Sequence, residues 1–265
     1  MYYKPGMKFV LPLGVIMLIF SSCQKIMEYY SLNSTSNNTP ISCRIKSYSS
    51  IYFENILRTD IKYDTLGNPV EVTYFADWLP DGKATEKLIY DSLGRLVLHE
   101  PFIEMGNHRK YVYEGDSKIP LRDTATDFIG KKYVESFKHD ATGRIIEEEI
   151  RWIYTPPEVE DDFIFETEVH RFYYDLRGNR QVNPYDYPWH RSIKYSDKPS
   201  LYSLHRSWQI IHRDYSKNGL TNVSSYNSSG LPVTFKQDDF AYWQPFLDMN
   251  QNSVVDYDCL IESKK

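Results

Sequence analysis

Apolar and polar side chains alternate with a period of two through much of this chain, and turn residues cut the alternation into short runs. The clearest case is Pro69-Val70-Glu71-Val72-Thr73-Tyr74, which Asp60-Ile61-Lys62-Tyr63 precedes across a Gly-containing turn. A period of two places successive side chains on opposite faces of a half-buried strand. The same reading predicts strands over 69–76, 84–90, 95–101, 108–114, 119–127, 131–139, 144–154 and 163–175. From Ile41 to Tyr63 the text is already strand-like, and strands near 220–226, 231–236 and 254–261 close the chain. One stretch has a different period. Leu201, Leu204, Trp208, Ile211 and Tyr215 fall three and four apart, with Pro199 before them and Gly219 after, which predicts a helix near 200–216 lying over one face of the sheet. The expected fold is therefore mostly β: an antiparallel sheet of successive β-hairpins with one short helix near the C-terminal part.

The turns between strands repeat. Tyr63-Asp64-Thr65-Leu66-Gly67-Asn68, Tyr90-Asp91-Ser92-Leu93-Gly94-Arg95, His139-Asp140-Ala141-Thr142-Gly143-Arg144, Tyr174-Asp175-Leu176-Arg177-Gly178-Asn179 and Tyr226-Asn227-Ser228-Ser229-Gly230-Leu231 share aromatic-Asp/Asn-x-x-Gly. The Asp or Asn can accept a backbone hydrogen bond two residues on, and the Gly three residues later adopts the left-handed conformation without a Cβ clash. The result is a type I turn closed by a bulge, a short link between antiparallel strands. Asp64, Gly67, Asp91, Gly94, Asp140, Gly143, Asp175, Gly178, Asn227 and Gly230 are accordingly read as turn-forming. The wide gaps between copies leave room for degenerate ones at Tyr113-Glu114-Gly115-Asp116 and Tyr195-Ser196-Asp197-Lys198.

These residues resemble the YD repeats of the RHS family, whose unit also reads Tyr-Asp-x-x-Gly-Arg followed by a hydrophobic strand. Tyr90 to Leu96 is the best match, and the resemblance spans roughly 60–235. The chain as a whole is similar to the small YD-repeat lipoproteins of the Bacteroidota, a family without an assigned activity, through its C-terminal segment from Asp197-Lys198-Pro199 by way of Trp208 and Ser216-Lys217-Asn218 to Tyr226. The resemblance implies the hairpin architecture, and not the toxin encapsulation of the large RHS shells.

The N-terminus adds a location. Lys4 and Lys8 precede an apolar run from Phe9 to Phe20 and then Ser21-Ser22-Cys23, the pattern of a secretory signal. Twelve residues broken by Pro12 and Gly14 are too few for an ordinary membrane span. Cys23 after Phe-Ser-Ser looks like the acylated Cys of a bacterial lipobox; a plain signal peptide with a Cys at that place is the alternative. The expected organisation is a lipoprotein signal peptide over 1–22, the acylated Cys23 with a flexible polar tether over 23–40, and a single YD-repeat-like β domain over 41–265. Gln24 differs from an inner-membrane retention Asp, which favours the outer membrane.

Loss of residues 1–22 would move the formal charge from −5 to −7, so no basic footprint for nucleic acid exists. The partners expected are a membrane through the lipid anchor, and a glycan or an envelope protein. Tyr, Phe and Trp number 23, 13 and 5, an excess that sheet packing explains in part. Trp78, Trp189 and Trp243 fall in predicted loops, where an amphipathic ring can stack on a sugar or partner, or else plug an end of the sheet.

Catalytic chemistry is poorly represented. Glu147 and Glu149 share one face of a strand, with Glu148 on the other, but a glycosidase needs two carboxylates across a cleft. The acidic loop Glu158-Glu160-Asp161-Asp162 reads first as a solvated hairpin tip. Asp248, Asn250 and Asn252 open like a calcium loop, yet Ser253 and Cys259 stand where Gly and Glu are wanted. His205 and His212 lie seven apart, where metal pairs more often sit four apart. No cofactor is expected. The leading expectation is a non-enzymatic envelope module whose loops bind a glycan or envelope protein; the alternatives are a polysaccharide-acting hydrolase and a structural subunit of an outer-membrane complex.

With Cys23 assigned to lipid, Cys43 and Cys259 remain as a pair, in a compartment that permits disulfides. A bridge is favoured over two buried free thiols. It would close a loop of over 200 residues, for which chain entropy gives on the order of 5 kcal/mol. A bridged chain shows the mass increment of alkylation at these two residues only after reduction; two freely alkylated thiols in the non-reduced, denatured protein would sink the pairing.

Overall fold

The computed structural model describes residues 41–52, 55–102, 107–127, 129–154, 167–181, 194–221, 223–235 and 253–261. The fold is carried by one compact unit, Ser42–Leu260. Eight strands follow one another closely in sequence: β1 (Ile41–Tyr52), β2 (Asn55–Tyr63), β3 (Pro69–Phe75), β4 (Lys83–Tyr90), β5 (Leu96–Glu100), β6 (His108–Tyr113), β7 (Pro120–Thr126) and β8 (Lys132–His139). Then come β9 (Ile145–Tyr154), β10 (Glu168–Arg171), the two-residue strands β11 (Tyr173–Tyr174) and β12 (Arg180–Gln181), and β13 (Tyr195–Pro199). A 3-10 turn at Leu201–Leu204 leads into the helix α1 (Arg206–His212), and β14 (Asn218–Leu220), β15 (Val223–Tyr226), β16 (Pro232–Phe235) and β17 (Val254–Ile261) complete the order.

Thirteen of these strands form one antiparallel sheet in the order β10-β9-β8-β7-β6-β5-β4-β3-β2-β1-β17-β16-β15, while β11 pairs with β12 and β13 with β14. The mostly-β expectation therefore holds, as a meander whose last strand returns beside its first. The predicted strand over 163–175 is corrected in its described part: 168–171 form β10, and past buried Phe172 the chain joins a separate two-stranded ladder, while 163–166 lie outside the described residues. The candidate turn at Tyr195–Lys198 is corrected too, because that segment is the strand β13, paired with β14.

In a meander, turns alternate between the two ends of the sheet. The turns at Asp64–Asn68, Asp91–Arg95 and Asp140–Arg144 link β2–β3, β4–β5 and β8–β9 and so share one end. The β6–β7 turn belongs to that end as well, and its Gly115 has φ 50°. The sequence repeat is thus one hairpin long, and its punctuation marks a single rim. At Asp91 the device is complete: Oδ1 accepts from the Leu93 and Arg95 amides at 3.0 and 2.9 Å, and Gly94 has φ 71°. The same geometry recurs at Asp127–Lys131, a copy that sequence reading missed because Thr126 stands where the aromatic belongs and the turn lies at the opposite end.

The Tyr and Arg of the motif act between hairpins. Arg95 lies 4.7 Å over the ring of Tyr113, whose hydroxyl donates to the Leu96 carbonyl at 2.8 Å. Arg44 lies 4.8 Å over Tyr63, whose hydroxyl donates to the Ile45 carbonyl at 2.8 Å, and Arg144 lies 4.3 Å over Tyr174. Cys43-Arg44-Ile45 therefore occupies the place of Gly94-Arg95-Leu96 without a turn before it.

The inward face of the sheet buries Ile45, Tyr48, Ile61, Val72, Tyr74, Leu88 and Leu96 in one cluster with Leu201, Trp208 and Ile210. The helix is shorter than the periodicity predicts. Ser200 Oγ accepts from the Tyr202 amide to start the 3-10 turn, and extended His205 then resets the chain as N-cap of α1. α1 stops at Arg213, which has φ 53°. This short segment touches distant strands. Leu204, His205 and Trp208 line a cleft with Cys43 of β1 and Asp258 of β17. The Tyr90 hydroxyl of β4 meets Ser207 Oγ at 2.8 Å, and Arg213 reaches β7, β8 and β9. From β17 to β9 is nine strand steps, about 43 Å across a flat sheet at roughly 4.8 Å per step. The seven residues of α1 extend only about 10 Å. The sheet must therefore roll around the helix, which becomes its filling.

Arg213 fastens that filling. Its guanidinium is 2.9 Å from Asp123 Oδ2, 2.6 Å from Glu135 Oε2 and 2.9 Å from Glu148 Oε1, and it donates to the Ile210 carbonyl. Arg109 of β6 joins Asp123 at 3.0 Å and also holds Glu135. Asp123 and Glu135 are register partners, so the acids stand side by side on the inner face. Burial pushes the Asp123 and Glu148 carboxyls above their ordinary range. For Glu135, burial is outweighed by the charges of Arg109 and Arg213 together with a hydrogen bond from Glu148, and the carboxyl is held well below that range.

Replacing Arg213 leaves three buried carboxylates facing Arg109 alone, and breaking a buried ion network by removing one partner costs about 3–5 kcal/mol. Arg213→Met should lower the denaturant midpoint accordingly, with Arg213→Lys intermediate because the charge remains and the fork is lost. A loss under about 1 kcal/mol for Arg213→Met would show that the network is not what holds the helix in place.

Candidate functional site

The pairing of β1 with β17 also builds a cleft among the described residues. Cys43 and Cys259 are disulfide-bonded, with Cα atoms 4.0 Å apart. One residue inward on each strand, Arg44 Nε and Nη2 both donate to Asp258 Oδ2, at 3.0 and 2.6 Å. Beside this ion pair opens a cleft of about 350 Å³, at the small end of the range for ligand sites. Its second wall is the first repeat turn, Tyr63 with Thr65, Leu66 and Gly67, and its third is Leu204, His205 and Trp208 where the 3-10 turn meets α1.

The polar groups here are only partly used. Both bonds from Arg44 end on one oxygen of Asp258, so among the described residues Arg44 Nη1 and Asp258 Oδ1 keep hydrogen-bonding capacity. Thr65 Oγ1 is likewise uncommitted. The Tyr63 hydroxyl is occupied by the Ile45 carbonyl, and burial raises it far above the usual phenol range despite the nearby Arg44. His205 Nδ1 accepts from the Ser207 amide at 3.1 Å, which places the proton of the neutral ring on Nε2. Leu66, 82% exposed at the turn tip, and buried Trp208 supply apolar surface.

The remaining candidates distribute as follows. Trp78 lies in the β3–β4 connection, at the opposite end from Asp64 and Asp91, and is 40% exposed. Trp189, Trp243, Cys23 and the calcium-loop positions Asp248, Asn250 and Asn252 lie outside the described residues, as does the acidic loop at 158–162. His205 and His212 do not share a helix face, because His205 precedes α1 while His212 is buried and stacks on Tyr202 at 4.6 Å. Glu147 faces outward, bonded by Lys138 and Arg171, whereas Glu148 is the inward member bound by Arg213. The four buried carboxylates among the described residues, Glu86, Asp123, Glu135 and Glu148, each meet an arginine or, for Glu86, His99 Nε2 at 3.0 Å. Among the described residues no group of three or more His, Cys, Asp or Glu is placed to hold a metal ion.

Sequence reading missed Arg44, Thr65, His205 and Asp258 as one site. The signal available was small: Arg44-Ile45 echoes Arg95-Leu96, and the Cys43–Cys259 pairing sets Arg44 opposite Asp258 only once the strands are known to be antiparallel neighbours.

Burial lowers the pKa of His205 to about 4, with Asp64 opposing weakly. The unfolded chain, titrating near 6.5, takes up its proton first as the pH falls, so the stability from the neutral ring is complete above about 6.5 and is lost on acidification toward 4. An NMR titration of the His205 ring should give a midpoint near 4; a midpoint at 6 or above contradicts its burial as a neutral donor.

No family model matches the chain, and no curated protein matches it. Among solved structures, the chain is similar to a porin-like protein from Bacteroides uniformis, with 11% identity over 84% of this chain and 99% of that one, and a TM-score of 0.48.

Proposed function

We propose that this chain is a lipid-anchored cell-envelope protein of the YD-repeat kind, held in the outer membrane through Cys23, that binds a glycan or an envelope protein and catalyses no reaction. Lys4, Lys8, the apolar run Phe9–Phe20 and Ser21-Ser22-Cys23 support the anchor, and Gln24 supports the outer membrane. The hairpin rim at Asp64, Asp91 and Asp140 supports the YD-repeat assignment.

One contrast carries the binding reading. The buried carboxylates named above are each engaged by Arg109, Arg213 or His99, which supports a structural role for them. The cleft at Arg44, Thr65 and His205 is the reverse case, with hydrogen-bonding groups in place and capacity unspent. Rigid, half-satisfied polar groups beside apolar surface suit recognition of a ligand.

Full-length protein expressed in a Gram-negative host and extracted in detergent should carry the mass of an acylated Cys23, and Cys23→Ser should abolish both the added mass and membrane retention. The same lipidated protein should score on a glycan array or capture an envelope protein in pull-down. Empty results in both binding assays would end the binding reading whatever the state of Cys23.

A further inference from the structure

The cleft between β1, β17, the first repeat turn and α1 has a chemistry that narrows its ligand. Arg44 and Asp258 cancel each other's charge, and His205 is a neutral donor, so the residues lining the cleft carry no net charge. What it does offer is alternation of donor and acceptor. Arg44 Nη1 and His205 Nε2 can donate, Asp258 Oδ1 can accept, and Thr65 Oγ1 can do either. A hydroxyl is the group that satisfies both kinds at once, since it donates one bond and accepts up to two. Leu66 and Leu204 add apolar surface of the sort that packs against C–H faces.

A phosphate or carboxylate taken up by Arg44 Nη1 would sit beside the Asp258 carboxylate, whose charge repels it and already neutralises Arg44. An ammonium would face Arg44 in the same way. An apolar ligand would strand the unused groups on Arg44, Asp258 and Thr65, with a desolvation cost for each group left unpaired. We propose that the cleft lined by Arg44, Thr65, His205 and Asp258 binds a neutral, hydroxyl-rich saccharide. This rests on the binding reading above and adds to it the ligand class and the residues.

The probe is an array of neutral oligosaccharides printed beside sialylated, sulfated and uronic-acid-containing ones, with the detergent-extracted full chain as analyte. Neutral glycans should bind and acidic ones should not. Affinity for the best neutral hit should fall at least tenfold in His205→Asn, which keeps a side-chain acceptor for the Ser207 amide and removes the reach of Nε2, and in Thr65→Val. Leu121→Ala, at an exposed position on β7, should bind as the parent does. Asp258→Asn leaves Arg44 uncompensated and should weaken neutral binding while admitting acidic glycans. Unaltered melting temperatures in His205→Asn and Thr65→Val keep loss of binding separate from loss of fold. Preference for acidic glycans, or neutral binding indifferent to both variants, overturns this inference and leaves the binding reading standing. Capture of an envelope protein with no glycan bound does the same, whereas silence in every assay removes both.

Discussion

Arg213 sits where the chain must solve a problem of its own making. Three carboxylates project inward from β7, β8 and β9, and among the described residues of the sheet itself only Arg109 pairs with any of them. The second cation comes from the end of α1, delivered by a residue that leaves the helix in the left-handed conformation. A non-glycine residue there is strained by roughly 1–2 kcal/mol, and the ion network over-determines it. The packing of Leu201, Trp208 and Ile210 and the roll of the sheet follow from the same placement, because one short segment cannot reach both β17 and β9 unless the sheet brings them to it.

The repeat acquires a different meaning from that anchor. Its Asp and Gly are turn chemistry, complete within six residues. Its Tyr and Arg also reach beyond the turn: Arg95 keeps its bond to Asp91 and stacks on Tyr113, Arg44 stacks on Tyr63, and the hydroxyls of Tyr113 and Tyr63 close on the Leu96 and Ile45 carbonyls. The motif thus combines one intra-hairpin device with one inter-hairpin staple, which is why hairpins that are marginal alone stack into a continuous sheet. The first strand joins the array by supplying Arg44-Ile45 without a turn. Arg44 then serves twice, stapling Tyr63 and pairing with Asp258 at the cleft.

The location of the site follows from where the repeat is interrupted. Arg95 and Arg144 of the second and fourth rim turns stack on Tyr113 and Tyr174 of later units, but at the first turn the cleft is lined from β1 and β17, brought together from opposite ends of the chain and tied by Cys43–Cys259. Thr65 and Leu66 therefore face Leu204 and His205 across a cleft in place of another hairpin. Of the aromatic candidates chosen from sequence, Trp78 sits at the other end, and the groups that matter at the cleft are ordinary-looking polar residues.

Much of the fold was legible in the sequence because strands and tight turns are local. Alternation fixed the faces of β3, β4 and β8, Asp-x-x-Gly fixed the rim turns, and β17 fell on its predicted bounds because apolar text resumes there after polar Asn252 and Ser253. The helix was legible as a period of three to four, but not its break at His205, which depends on the imidazole capping the Ser207 amide. The candidate site was not legible. Arg44 and Asp258 are 214 residues apart, and Glu148 differs from Glu147 and Glu149 only in facing inward, where Arg213 meets it. The sequence alone decided which residues alternate and which turn, and it offered Cys43 and Cys259 as a pair that the structure shows bonded. Only the tertiary structure decided which polar groups meet, because long-range pairing is set by sheet register and by the roll around α1, and neither leaves a period in the chain.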